Sequence, residues 1–246
     1  MSGDPSLERT EELVVEFERN GADLIELGVP FSDPIADGPV IQRAGARSLK
    51  SKTSLKDVLA LVNGLRQRRQ VRIPIILMTY YNPVLKFGEG RFAKEASAAG
   101  VDGLIISDLP PEEAAGLMVP AQQSGLDLIF LLAPTSTPSR IRKADSVSTG
   151  FLYYVSITGI TGAKLRGVET IEKHLRLIRR VSSLPIAVGF GISTPNEASA
   201  VARLADGVII GSAIVRRIEQ SGELPQCAAI VGKFVRELKK AVQDDA

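Results

Sequence analysis

The feature of this sequence that most constrains its fold is a regular alternation between short apolar segments and longer charged segments with helical spacing. Segments rich in Val, Ile and Leu predict seven strands, at 23–28, 73–80, 103–107, 127–132, 151–156, 185–188 and 207–210. Their residues are apolar in succession, which is typical of parallel strands covered on both faces. The intervening segments predict eight helices, at 6–20, 54–69, 91–99, 111–123, 137–144, 169–181, 195–205 and 225–242.

Repeating strand-then-helix units specify a parallel sheet with right-handed crossovers. The sheet is either open and doubly wound or closed as a (β/α)8 barrel. A dinucleotide-binding open sheet carries G-x-G-x-x-G between its first strand and first helix, and this sequence lacks that motif there. The length of 246 residues lies within the barrel range of roughly 200 to more than 400. We therefore predict the α/β class and a TIM-type barrel, with residues 1–246 forming a single domain.

The start of the chain departs from a complete barrel. The loop Ser2–Pro5 leads directly into the first predicted helix, so the predicted strands number seven rather than eight. We expect a (β/α)8 barrel that lacks its first strand and the helix before it. Such a gap exposes two strand edges in the barrel wall.

Composition excludes several functional classes. Lys and Arg number 30 against 28 Asp and Glu, and no basic run is interleaved with aromatic residues, which argues against a nucleic-acid partner. One Cys and one His exclude an intrachain disulfide and a Cys/His zinc cluster. The apolar runs are far shorter than the ~20 residues of a membrane span, and residues 1–20 lack a signal-peptide pattern. We predict a soluble, cytoplasmic protein with no metal site and no membrane association.

The loop after the first predicted strand carries the strongest candidates for chemistry. In barrels, the loops that follow the strands build the active site. Glu26 lies within the apolar stretch Leu24–Leu27, where burial raises the pKa of a carboxyl toward the range that is useful for proton transfer. The alternative is a Glu paired with a neighbouring cation. Asp33 and Asp37 follow in a Pro- and Gly-rich loop, in which turn formation alone explains an Asp.

Later loops predict an anion site and a lid. Gly189–Ser193 and Gly211–Ala213 end two consecutive strands, the position where barrels commonly hold phosphate. Tyr153–Lys164 leaves a strand and contains two glycines and three hydroxyl side chains beyond it, which suits a mobile lid or an ordinary flexible loop. His174 lies in a charged helical stretch, and we interpret it as a solvated helix residue.

The loop Glu26–Pro39 closely resembles the signature of the tryptophan synthase α subunit family. Further matches are collinear with it: Ser107–Pro110, the flexible-loop segment Ser156–Gly162, and the phosphate loops Gly189–Ser193 and Gly211–Ser212. The resemblance runs from residue 3 almost to the end of the chain.

This resemblance implies cleavage of indole-3-glycerol phosphate to indole and glyceraldehyde 3-phosphate by a retro-aldol reaction. It assigns the general acid/base role to Glu26 and stabilisation of the positively charged ring to Asp37. The other roles it implies are substrate binding by Tyr153, Thr161, Phe190 and Met78, and phosphate binding by Gly162, Gly191, Gly211 and Ser212.

The resemblance also implies a partner, the pyridoxal-phosphate-dependent β subunit, in an α2β2 complex. Pro30, Asp33 and Asn82 match the interface region, and the chain is expected to need no cofactor of its own. Two alternatives stay open at this point. One is a catalytically weak subunit that only binds or activates its β partner, which the missing strand favours. The other is a stand-alone lyase that releases free indole.

Overall fold

The computed structural model of the protein describes residues 1–155, 164–189, 191–222 and 224–243, with the backbone alone for 164–168. Its strands are β1 (Ile25–Gly28), β2 (Ile75–Thr79), β3 (Gly103–Ile106), β4 (Asp127–Leu128), β5 (Leu131–Leu132), β6 (Leu152–Val155), β7 (Ile186–Gly189) and β8 (Gly207–Val208). Its helices are α1 (Leu7–Arg19), α2 (Pro39–Lys50), α3 (Leu55–Gln67), α4 (Tyr81–Phe87), α5 (Glu89–Ala99), α6 (Ala115–Gln123), α7 (Pro138–Val147), α8 (Lys164–Arg179), α9 (Pro195–Ala202), α10 (Ser212–Ser221) and α11 (Cys227–Gln243).

All strand pairing is parallel and follows chain order. One ladder runs β1-β2-β3-β4 and the other runs β5-β6-β7-β8. The segment 127–132 joins them, because the Ile129 amide donates to the Leu104 carbonyl at 3.0 Å while the Tyr153 amide donates to the Phe130 carbonyl at 3.2 Å. The wall is therefore continuous from β1 to β8. The predicted α/β class and all seven strand segments are confirmed, with the fourth segment divided into β4 and β5.

Among the described residues no ladder joins β8 to β1, so the wall is open between these two strands. The Ser2 amide donates to the Gly28 carbonyl at 2.9 Å, so the loop 2–5 lies beside β1. The backbone conformation and the close packing at position 3 of this loop require glycine. Its φ is +77°, and a Cβ there would lie 2.3 Å from the Thr53 hydroxyl oxygen.

The prediction of eight helices is wrong, because the described residues form eleven. The predicted set omitted α2, α4 and α10. Gly45 lies within α2, and glycine weakens the helical signal in the sequence. The helix α4 is only seven residues long, and α10 begins directly after Gly211, within the segment Gly211–Ala213 that the sequence indicated as an anion loop.

Side chains of the wall alternate between two apolar layers. Leu77, Leu104 and Val188 pack outward against the helices, whereas Ile76, Ile105 and Ile129 form a separate cluster inside the wall. This is the period-2 alternation of a strand. Ile25 and Leu27 belong to the outer layer, so Glu26 between them faces the barrel interior.

Arg66 of α3 stabilises the end of the barrel at which the strands begin. Its guanidinium donates to the carbonyls of Gly100, Val71 and Ile73 at 2.9, 2.8 and 2.9 Å and pairs with the Asp102 carboxylate. One side chain therefore ties the segments that lead into β2 and β3. Across the described ranges, no helix combines the length and apolar character needed to cross a membrane. The assignment of residues 1–246 to a single domain stays a prediction.

Candidate active site

Glu26 places a carboxyl group inside the barrel without a charge partner. Its Oε1 atom is buried and has no hydrogen-bond partner among the described residues. No ion pair that the structure shows involves it, so the alternative of a Glu paired with a cation finds no support in the described part of the chain. Burial raises the pKa of Glu26 to about 7. The group is therefore poised to gain or lose a proton near neutral pH.

Tyr153 of β6 adjoins Glu26 across the interior. The Tyr153 side chain is 5% exposed and belongs to the interior apolar cluster. Burial raises its pKa well above the usual value, and the negative charge of Glu26 adds to that rise. A Cβ on Gly189 would lie 2.5 Å from the Tyr153 hydroxyl oxygen, so the absence of a side chain at Gly189 leaves room for the ring. The structure thus places the Tyr153 ring inside the barrel near Glu26, and its contact with substrate stays a prediction.

Asp37 lies at the mouth, at the end of the loop that leaves β1. The loop turns back on itself, with the Asp37 amide donating to the Pro34 carbonyl at 3.2 Å. Gly38 then caps α2, and the Gln42 side-chain amide donates to the Asp37 carbonyl at 2.8 Å. Burial raises the pKa of the Asp37 carboxyl, while a hydrogen bond from the Tyr80 hydroxyl opposes that rise.

Tyr80 positions this loop and is missing from the predicted site. Its hydroxyl accepts the Ala36 amide at 3.0 Å, and its ring packs against Phe31 with 5.2 Å between centroids. Burial, followed by the charge of Asp37, raises the pKa of Tyr80 to about 12. The available sequence signal was only its place just beyond the strand β2. Nothing in the sequence showed that Tyr80 reaches the Asp37 loop.

Two of the four predicted phosphate residues, Gly211 and Ser212, lie at the start of α10. Gly211 caps this helix without a side-chain hydrogen bond, and Gly211 and Ser212 are exposed. The Ile214 and Val215 amides donate to the Gly211 carbonyl, whereas the first amides of a helix have no intrahelical acceptor. Gly191 is also exposed and has a φ of +81°. This end of the barrel therefore presents backbone donors and a helix dipole to an anion.

The remaining predicted site residues lie in different environments: some are buried, some are exposed, and some lie outside the described residues. Met78 packs against the interior apolar cluster, where it can wall a ring pocket. Asp33 and Asn82 are exposed, but Pro30 is buried within the chain and offers little surface to a partner. Thr161, Gly162 and Phe190 lie outside the described residues, as does the lid segment 156–163.

His174 is not simply a solvated helix residue. Its ring stacks on Tyr154 with 5.8 Å between centroids, and its Nδ1 atom lies 2.8 Å from the Thr170 carbonyl oxygen.

Within the described ranges, no three His, Cys, Asp or Glu side chains come together in a metal-binding group.

Comparison with known proteins identifies the family. The profile of the family described as "Tryptophan synthase alpha chain" matches residues 1–243. The chain belongs to the tryptophan synthase alpha chain family. The alpha chain of Geotalea uraniireducens is 51% identical over 244 residues, covering 98% of this chain and 90% of that protein. The Geobacter sulfurreducens alpha chain is 50% identical over 242 residues, covering 98% and 90%.

Solved structures of family members share the fold. Tryptophan synthase subunit alpha from Legionella pneumophila has a TM-score of 0.90 at 38% identity and covers 99% of this chain and 90% of its own. A chain from the tryptophan synthase α2β2 complex of Pyrococcus furiosus has a TM-score of 0.89 at 38% identity, covering 97% and 95%. These similarities confirm the family that the loop sequences indicated and the barrel architecture.

Proposed function

We propose that this chain catalyses the α reaction of tryptophan biosynthesis, cleavage of indole-3-glycerol phosphate to indole and glyceraldehyde 3-phosphate. The observation that carries the proposal is Glu26, a carboxyl group inside the barrel with one unpartnered oxygen and a pKa of about 7. A structural carboxylate would be expected to have a cation or hydrogen-bond donors at that depth. The unsatisfied oxygen instead leaves a proton donor and acceptor free for substrate.

The reaction requires one proton to be added and another to be removed. In its protonated form, Glu26 donates a proton to C3 of the indole ring, which turns the ring into an electron sink. The carboxylate then accepts the proton of the glycerol hydroxyl beside the scissile carbon–carbon bond. The electrons of that bond pass to the ring, and the hydroxyl carbon becomes the aldehyde of the product. A pKa near neutrality suits a group that acts in both directions.

Asp37 supplies the second charge that this chemistry needs. Protonation at C3 leaves positive charge on the ring, and a fixed carboxylate near the indole N–H lowers the free energy of that state. Tyr80 supports the role of Asp37, because its hydroxyl holds the Ala36 amide at 3.0 Å and hydrogen-bonds with Asp37.

Other residues at the mouth and in the interior are suited to bind the phosphate and the indole ring of the substrate. The exposed start of α10, with Gly211 and Ser212, and the turn at Gly191 suit the phosphate. Met78 and Tyr153 border the interior where the ring would lie. The family resemblance adds Phe190 to the ring pocket, Gly162 to the phosphate site and Thr161 to the lid.

We further propose that the chain works in the cytoplasm with a tryptophan synthase β subunit and binds no cofactor of its own. The α2β2 assembly of the Pyrococcus furiosus relative supports the choice of partner. The exposed side chains of Asp33 and Asn82 are available for an interface at the mouth. Pyridoxal phosphate would belong to the β partner.

An indole-release assay tests the proposal. Wild-type protein should form indole from indole-3-glycerol phosphate, and adding β subunit should increase the rate. The Glu26→Gln variant should lose turnover yet still bind glycerol 3-phosphate, since the amide keeps the shape of the side chain but cannot carry the proton. Absence of wild-type turnover with and without β subunit would overturn the lyase function. Near-normal turnover of the variant would remove Glu26 from the acid/base role.

A further inference from the structure

Four charged side chains form a network at the rim of the barrel mouth, and the proposed reaction does not use them. The Glu219 carboxylate of α10 accepts two hydrogen bonds from Arg43 of α2, both at 2.8 Å, and one from Arg47 of α2 at 2.7 Å. Arg47 also donates to both oxygens of Asp4, at 2.7 and 2.9 Å. We call Arg43, Arg47, Glu219 and Asp4 the Glu219 network.

The network has more contacts than a single surface ion pair, and its most exposed member is Arg43, whose side chain is 53% exposed. Exposed single pairs contribute little to stability, but bidentate guanidinium–carboxylate contacts and networks fix geometry. The side chains of Arg47 and Glu219 are 32% and 26% exposed, and that of Asp4 is 3% exposed. The two arginines pull the pKa of Glu219 down to about 2, so it remains charged at any pH at which the protein functions.

The two helices that the network joins both begin at the proposed site. The first residue of α2 is Pro39, immediately after Asp37 and Gly38, and the Gln42 amide on its first turn holds the Asp37 carbonyl at 2.8 Å. The first residue of α10 is Ser212, at the proposed phosphate site. A shift of α10 relative to α2 would therefore be transmitted to the position of Asp37.

We propose that Glu219 is a positioning residue that couples the phosphate site to the loop bearing Asp37. The phosphate of the substrate fixes the start of α10, and Glu219 passes that constraint to α2 through Arg43 and Arg47. The phosphate thereby helps to hold Asp37 in place while the distant ring reacts. This inference rests on the proposed phosphate site and on the proposed role of Asp37.

Hydrogen exchange tests the coupling without any chemical step. Glycerol 3-phosphate is added to the full chain, and exchange is followed in a peptide spanning residues 31–43. In wild-type protein the ligand should slow exchange at the Ala36 amide and in the first turn of α2. The Glu219→Gln variant should bind the same ligand with lower affinity and lose that protection. Glu95→Gln is the matched control, because Glu95 forms an exposed pair with Arg91 within α5, in which the side chains are 42% and 60% exposed.

Turnover gives the second measurement. We expect Glu219→Gln to lower kcat and to raise KM, with kcat/KM falling about 3- to 30-fold, the usual size of a coupling between sites. Glu219→Asp should recover part of this loss because the charge is kept. Arg43→Gln combined with Glu219→Gln should cost less than the product of the two single effects, since both variants break the same contact.

The outcomes separate the coupling from the proposed function. Unchanged ligand-induced protection in Glu219→Gln would overturn the coupling, as would a wild-type protein whose residues 31–43 do not respond to bound ligand. A higher KM with unchanged kcat would confine Glu219 to the phosphate site and would also overturn it. If wild-type protein shows the protection but forms no indole, the lyase function fails while the coupling stands. If Glu219→Gln does not fold, Arg43→Gln and Glu219→Asp carry the same tests.

Discussion

The buried carboxyl of Glu26 should make the protein less stable as pH rises, and a single substitution should remove the effect. The pKa of Glu26 is about 7 in the folded protein against 4.5 for an ordinary Glu. The folded state therefore binds this proton more tightly than the unfolded state does. Below pH 4.5 the carboxyl group is protonated in both the folded and the unfolded state, so it does not lower the free energy of unfolding. Between pH 4.5 and 7 the free energy of unfolding falls, and above pH 7 the loss is complete.

The magnitude follows from the shift in pKa. At about 1.4 kcal/mol per pKa unit, the ionised carboxylate costs up to about 3 kcal/mol of stability. The Glu26→Gln variant does not titrate at this position. Its stability relative to wild type should increase by about 2 to 3 kcal/mol between pH 5 and pH 8. Any constant cost of burying the amide cancels, because only the difference between the two pH values is used.

Urea unfolding at pH 5 and pH 8 measures this difference. Glu95→Gln makes the same chemical change at a carboxylate whose side chain is 42% exposed, and it is the matched control at both pH values. A Glu26→Gln effect that is the same at pH 5 and pH 8 would refute the reasoning. In that event the carboxylate would be paired or solvated in the folded protein, and the main support for its acid/base role would be lost.

Two further substitutions test the geometry around the two carboxylates. Tyr80→Phe removes the hydroxyl that hydrogen-bonds with Asp37, and kcat should fall about 10- to 100-fold, as for loss of a hydrogen bond to a charged group. A kcat within twofold of wild type in steady-state assays would show that Asp37 needs no such support. Gly189→Ala places a methyl group 2.5 Å from the Tyr153 hydroxyl, and overpacking should cost about 1–3 kcal/mol of stability and lower kcat/KM. Gly90→Ala, with open space around the new methyl, is its control in both melting and kinetic measurements, and equal behaviour of the two variants would contradict the close approach.

The sequence was sufficient for the parts of this protein that depend on local pattern. Successive apolar residues indicated the buried parallel strands, and the acidic Glu26 within one of them stood out because burial of a carboxyl is costly. The expected anion site followed from the glycines that end two consecutive predicted strands, in Gly189–Ser193 and Gly211–Ala213; it stays a prediction, and the helix α10 that begins there was missed.

Contacts between segments that are distant in the chain could not be predicted from the sequence. The hydroxyl of Tyr80 accepts an amide 44 residues away, and Glu219 meets Arg43 across 176 residues. Such partners depend on the angle and spacing of packed helices and loops, which no local pattern specifies. The helix α2 was missed for a related reason, because packing compensates for the weak helical propensity around Gly45.

The Arg66 anchor has a consequence for how this protein can be altered. It lies at the end of the barrel opposite the proposed site, where one guanidinium holds three backbone carbonyls of the two segments that lead into β2 and β3. In barrels of this type, that end carries stability and the other carries chemistry. The two properties can then be tuned separately: changes around Arg66 should move the melting temperature at constant kcat, leaving the loops at the mouth free to be redesigned for other substrates.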